Sequence, residues 1–265
     1  MSDQSKRPAQ GPAGPRLSEL ADAAGIGLER KIFKTLYDTL IRPGRAARAA
    51  FDRADDHVSQ LKLFAVLFGL YLSAGAFFGA PTAMTIESLV PPGQVGAAFD
   101  FIRAQGADPV DVNAAMSRWG GFLVWPIMTI ASAVYILVLK ISKPSVTWFG
   151  HVLIYLIASN AMTLIGIPLM AARLVSLELY LALQMSTMIV FIVQLMRLGS
   201  SVLELGVGRL ILLLCLVLLA FLPTFIIIGV LQLTAAWFVL DLQGVPLFEM
   251  MEAARVSAES PSGET

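Results

Sequence analysis

Apolar positions in this chain gather into long blocks. Five stand out, at residues 63–80, 119–139, 148–172, 175–196 and 210–240, with polar sequence between them. A helix that crosses a bilayer needs about 17–25 apolar residues, and the first four blocks have that length. The fifth would run to about 46 Å as one helix at 1.5 Å per residue. Split into a hairpin, its halves fall short of a crossing. It holds Pro223, so one kinked or strongly tilted helix hinged at Pro223 is expected.

Ahead of the first block the period changes. Leu28, Ile32, Phe33, Leu36, Tyr37, Leu40 and Ile41 recur at helical spacing within residues 18–41, with Arg30, Lys31, Lys34 and Asp38 on the other side. This predicts an amphipathic interfacial helix, too charged to span. Pro43-Gly44 breaks it, and a second amphipathic helix is expected over 45–60. Residues 1–16 are polar and rich in Pro, Gly and Ala, and are expected to form a disordered tail. They do not read as a cleaved leader, because the first apolar block starts too late. In the loop 81–118, a short helix is expected at 95–105. Asp108-Pro109 suits a helix start that runs on into the second span. The division is a tail (1–16), cytoplasmic amphipathic helices (17–60), a membrane domain (61–240) and a polar, loose C-terminal tail (241–265). The fold class is an all-α polytopic bundle with five transmembrane helices.

Composition agrees. Hydrophobic residues make up 57% and charged residues 14%, against about 25% charged in soluble domains. Net charge is zero, so electrostatics must act locally. Lys31, Lys34, Arg42, Arg45, Arg48, Arg53, Lys62, Lys140, Lys143, Arg197 and Arg209 fall on one side of a five-span topology. The other side has Arg103, Arg118, Arg173 and Arg255, diluted by acidic residues. Cations near span ends mark the cytoplasmic side, which places the N-terminus in the cytoplasm and the C-terminus outside it. Trp119, Trp148 and Trp237 suit interfacial belts. With one cysteine and two histidines, neither a disulfide framework nor a standard structural zinc site can form.

Candidate chemistry lies in polar residues within spans. In the third, His151, Tyr155, Ser159, Thr163 and Gly166 share a face with Asn160 beside it; in the fourth, Tyr180, Gln184, Thr187, Phe191 and Gln194 form a seam, with Glu178 near the span's start. Such groups face the bundle interior. They either bond between helices, which is the favoured reading, or line a substrate or proton path. Gly69 and Ser73 stack with Ala65 in the first span, and Gly75 and Gly79 form a GxxxG. These small residues suit helix packing within the chain, or alternatively a homodimer. Arg42, Arg45, Arg48, Arg53 and Lys62 are expected to contact anionic lipid headgroups. Asp55-Asp56-His57 reads as a solvated helix face. No GxSxG, HExxH or Walker-type motif occurs. No catalytic residue, metal or cofactor is assigned, and no nucleic-acid partner, because the cations are interleaved with Asp52, Asp55 and Asp56.

The stretches TLYDTLIRPGRAARAAFDR and LKLFAVLFGLYL, then WFGHVLIYLIASNAMTLIGIPLM and MRLGSSVLELGVGRLILLL, resemble bacterial Yip1-like membrane proteins. The likeness is strongest to the DUF3667 type, whose N-terminal zinc ribbon is absent here, and covers roughly residues 35–240. It implies five spans, a cytosolic N-terminus, a bacterial inner-membrane location and a role in membrane organisation. The expected function is thus a non-enzymatic organiser, scaffold or accessory subunit. The alternative is a small permease or channel with a path between spans three and four. A second copy or another membrane protein stands open as partner.

Overall fold

A computed structural model describes residues 26–78 and 84–259. It is 85% helical, with no strand among the described residues. Two helices lead in, α1 (Ile26–Ile41) and α2 (Pro43–Phe51). The first span is α3 (Gln60–Phe78); then come the short α4 (Ile86–Leu89) and α5 (Val95–Ala104). The remaining spans are α6 (Pro109–Ser142), α7 (Trp148–Leu169, extended by a 3-10 turn Met170–Leu174), α8 (Leu177–Ser201) and α9 (Val207–Leu242). The described residues close with α10 (Leu247–Glu259). Five helices are therefore long and apolar enough to cross a membrane, as a multi-pass membrane protein requires.

Ring contacts fix the packing directions. Trp119 meets Phe238 at 6.1 Å and Tyr135 meets Phe221 at 5.8 Å, so α6 and α9 run antiparallel. Tyr155 stands 5.9 Å from Phe191, and Gln184 reaches the Gly166 carbonyl, so α7 and α8 are also antiparallel. The central element is α7: 56% of its span is buried, against 22–29% for the other four. Their outward faces carry Val66, Leu70, Phe77, Ile189, Leu219 and Ile226, all exposed. Water would penalise such surfaces, whereas hydrocarbon does not.

There are two main cores, one at each end. Tyr135, Ile157, Phe191, Leu195, Leu198 and Leu213 pack together, closed by Ala46 and Ala47 of α2. At the far end Ile86, Ile102, Met116, Val239, Leu240 and Met250 form the second.

The expected elements differ in three places. Residues 45–60 are not one helix. α2 stops at Phe51, and the chain reverses through a turn in which Arg53 takes φ +51. The C-terminal segment is not loose through residue 259: it forms α10, whose Met250 and Ala254 are fully buried against the α5 side of the far-end core. α9, expected as a single helix, is one helix across Pro223, and its extra length serves the far-end core, which holds Ala236, Val239 and Leu240. In α3 the small residues do not pack as one set. Leu63, Leu67 and Gly75 are buried, whereas Gly69 and Ser73 face outward. Among the described residues, nothing outside its own stretch of helix comes within 4 Å of where a Gly69 Cβ would stand. The face of α3 with Leu63, Leu67 and Gly75 is turned inward, so Gly69 and Ser73 on its other side take no part in packing among the described residues. Gly79, the tail 1–16 and residues 17–25 lie outside the described residues.

Candidate functional site

The densest polar chemistry lies where the lead-in seats on the basic end of the bundle. Its geometry starts at Arg42-Pro43-Gly44. The residue before a proline avoids the helical region, and Arg42 has φ −129 and ψ 59. Pro43 then opens α2 at a first-turn position that lacks a helical N–H partner. Gly44 lets α2 close on α8: a Cβ there would stand 2.6 Å from the Ser201 Oγ.

In α1 the polar face is the inward one. Thr35, Asp38 and Thr39 are buried, whereas Phe33, Tyr37 and Ile41 are 70%, 51% and 46% exposed. The Thr35 hydroxyl donates to the Lys31 carbonyl at 2.7 Å and accepts the Val58 amide at 2.9 Å, tying α1 to the turn before α3. The last carbonyls of α1 are capped from α8: Gln194 Nε2 donates to the Leu40 carbonyl at 2.7 Å, and the Arg197 guanidinium donates to that of Ile41. Helix ends leave such carbonyls unsatisfied.

Beside this joint lies an ionic chain. Asp38 accepts from His57 Nε2 at 3.0 Å and stands 3.5 Å from Arg45. His57 Nδ1 faces Asp56 at 2.6 Å, and Asp56 pairs with Lys34. Lys34 first, then His57, hold the Asp56 carboxyl down at about 2. The His57 side chain is nearly buried. This corrects the reading of Asp55-Asp56-His57 as a solvated face, which holds for Asp55 and Asp56 but not for His57. Carboxylates only accept, so each ring nitrogen is matched when it carries a proton. The geometry suits a clamp.

The polar seams of α7 and α8 are engaged in packing. Asn160 Nδ2 donates to the Gln60 carbonyl at 3.1 Å and to its Oε1 at 2.9 Å, and Gln60 Nε2 reaches Thr39 Oγ1 at 3.4 Å. Thr163 donates to the Ser159 carbonyl, Thr187 to the Gln184 carbonyl, and Gln184 Nε2 to the Gly166 carbonyl at 3.0 Å. His151 is fully buried, and neither ring nitrogen has a hydrogen-bond partner among the described residues. Glu178 sits exposed in the first turn of α8, behind its Ser176 cap. Arg42, Arg45, Arg48, Arg53 and Lys62 are all exposed. Among the described residues, no three His, Cys, Asp or Glu side chains cluster closely enough to hold a metal.

Cavities among the described residues flank the bundle. One, of about 550 Å³, lies at the basic end against Arg42, Arg45, Arg48 and Arg197. Another, of about 390 Å³, lies between α4, α6 and α9 near Gly120 and Gln232. Neither is lined by the α7 or α8 seam residues.

Sequence reasoning missed Thr35, Thr39 and Gln60 and assigned Arg197 to topology alone. The run Thr35, Asp38, Thr39 at helical spacing was the available signal, but periodicity does not say which face of a helix turns inward. No protein-family profile, no curated protein and no solved structure matches this chain.

Proposed function

We propose that this chain is a non-enzymatic organiser, scaffold or accessory subunit of a bacterial inner membrane, of Yip1-like type, with its N-terminus in the cytoplasm and its C-terminus outside. The carrying observation is that Asn160, Gln184 and Gln194 each donate to partners within the protein. A permease would need those same groups to face a path. The outward stripe Phe33, Tyr37 and Ile41 supports a lead-in that lies on the membrane, apolar side to the acyl chains and cations to the headgroups.

Proton and potassium flux in proteoliposomes, read by internal pH and membrane-potential dyes, tests the reading. The expected result is no flux above empty vesicles. Flux that disappears in an Asn160→Leu/Gln184→Leu variant would reinstate the permease. Orientation is checked separately, with Arg30→Cys and Ser257→Cys placed singly in a Cys215→Ala background. In intact spheroplasts a membrane-impermeant maleimide should label only position 257, and labelling of position 30 would reverse the topology.

A further inference from the structure

The basic-end cavity has a composition that the clamp does not account for. Its wall is built from four arginines, Arg42, Arg45, Arg48 and Arg197, with Ser200 and Ser201, and among the described residues no Asp or Glu lines it. Arg45 has Asp38 at 3.5 Å behind it, and Arg42 lies over the Tyr37 ring at 5.5 Å. Arg197 is held by the α1 carbonyls, and Arg48 has no ion-pair partner among the described residues. Four like charges around one hollow repel each other unless an anion sits among them. Planar forks matched to pairs of oxygens favour phosphate.

The surroundings narrow the source. Ser201 ends α8, a membrane-crossing helix, so the cavity opens at the level where a span leaves the hydrocarbon. Ile41 belongs to the cavity wall and also to the outward stripe with Phe33 and Tyr37. Acyl chains can lie along that stripe while the headgroup enters the cavity. At about 550 Å³ the cavity is in the size range of small-molecule sites, well beyond a lone phosphate ion.

We infer that this cavity is a discrete site for a phosphate-bearing anion, occupied in the membrane by one anionic phospholipid headgroup. Arg48 and Arg42 grip the phosphate, Arg197 forms the fixed wall, and the Gly44–Ser201 contact sets the floor. The site deepens the headgroup reading, on which it rests, by separating these arginines from Arg53 and Lys62, which do not line it.

The test uses the full chain in neutral maltoside micelles. Native mass spectrometry follows added dioleoyl phosphatidic acid, dioleoyl phosphatidylglycerol and dioleoyl phosphatidylcholine. Thermal melts follow inorganic phosphate at matched ionic strength. One anionic lipid should bind per chain, in preference to phosphatidylcholine. Arg42→Gln/Arg48→Gln should weaken it by about a hundredfold, at roughly tenfold for each charge-assisted hydrogen-bonding group removed. Arg53→Gln/Lys62→Gln removes the same charge and should change affinity by less than about threefold, since exposed charges off the site act through screened fields. Arg48→Lys, which keeps the charge and loses the fork, should fall between. Equal weakening in the two double variants would overturn the site and leave only diffuse headgroup attraction. Absence of anionic-lipid binding would overturn both the site and the headgroup reading. If inorganic phosphate stabilises the chain while phosphatidic acid and phosphatidylglycerol bind no better than phosphatidylcholine, the phosphate chemistry stands and the lipid occupant is overturned. Unchanged far-ultraviolet circular dichroism in each variant ties the weakening to the site, not to misfolding.

Discussion

At the scale of single residues, Asn160 joins the lead-in to the central span. Its amide donates twice to Gln60, whose own amide turns to Thr39, so one side chain links α7, α3 and α1. Asn160→Leu leaves the Gln60 carbonyl and Oε1 without that donor in a buried place. It should destabilise the folded state by about 1–3 kcal/mol, the cost of stranding buried polar groups. Unfolding in mixed micelles measures it, and a loss under about 0.5 kcal/mol would show that the link carries little, being no larger than an ordinary surface change. Asp56 makes a different case, because it is exposed and paired. Its carboxyl is lowered from 3.8 to about 2 by Lys34 and His57. A lowered folded-state value contributes stability above the unfolded value, and the contribution is lost as pH falls through the folded one. Melting curves of the parent and of Asp56→Asn should therefore differ at neutral pH, approach each other below 3.8 and meet near 2. A gap that stays constant down to pH 2 would separate Asp56 from the clamp.

At the scale of elements, α1 and α2 show what pattern can and cannot reveal. Long apolar runs made the five spans readable, because a bilayer demands about twenty such residues whatever the neighbours are. Asp108 was readable as a cap for the same local reason, and its carboxylate accepts the Val110 amide at 2.9 Å. The direction in which α1 faces was not local. Its hydrophobic period is equally satisfied with the apolar side turned inward or outward, and only contact with α7, α8 and the 52–59 turn turns it outward. The small residues of α3 misled in the same way: Gly69 and Ser73 are suited to close packing, yet α3 is set by Gln60 and by Leu63 and Leu67 on another face. Gly44 gives the converse, a small residue whose need was not visible in the chain. Gly44→Ala places a methyl 2.6 Å from the Ser201 Oγ and 3.1 Å from its Cβ. Either α2 lifts from α8 or Ser201 shifts, at about 1–3 kcal/mol for overpacking. Ser201→Gly in the same chain should recover much of the loss, and no recovery would place the strain elsewhere.

At the scale of the whole molecule, the lengths of α6 and α9 explain why there are two main cores. Their 34 and 36 residues give about 51 and 54 Å at 1.5 Å per residue, against roughly 30 Å of hydrocarbon. The excess at the far end carries Val112, Met116, Ala236, Val239 and Leu240 into a cluster with α4, α5 and α10. That cluster shares no residue with the one at the basic end. It is built like a small water-soluble domain, with apolar residues inside and Asp100, Arg103, Glu252 and Arg255 outside. Two such cores should fail separately. Met250→Asp puts an unpaired carboxylate at a fully buried position, a change that costs several kcal/mol because no partner offsets desolvation. Hydrogen exchange should then show α4, α5 and α10 losing protection, while α2 and the facing turns of α7 and α8 keep theirs. The reverse dependence follows for Gly44→Ala, which should loosen α2 and leave α10 protected. If Met250→Asp instead strips protection from both ends together, the five spans transmit the loss through the membrane and the molecule behaves as one cooperative unit.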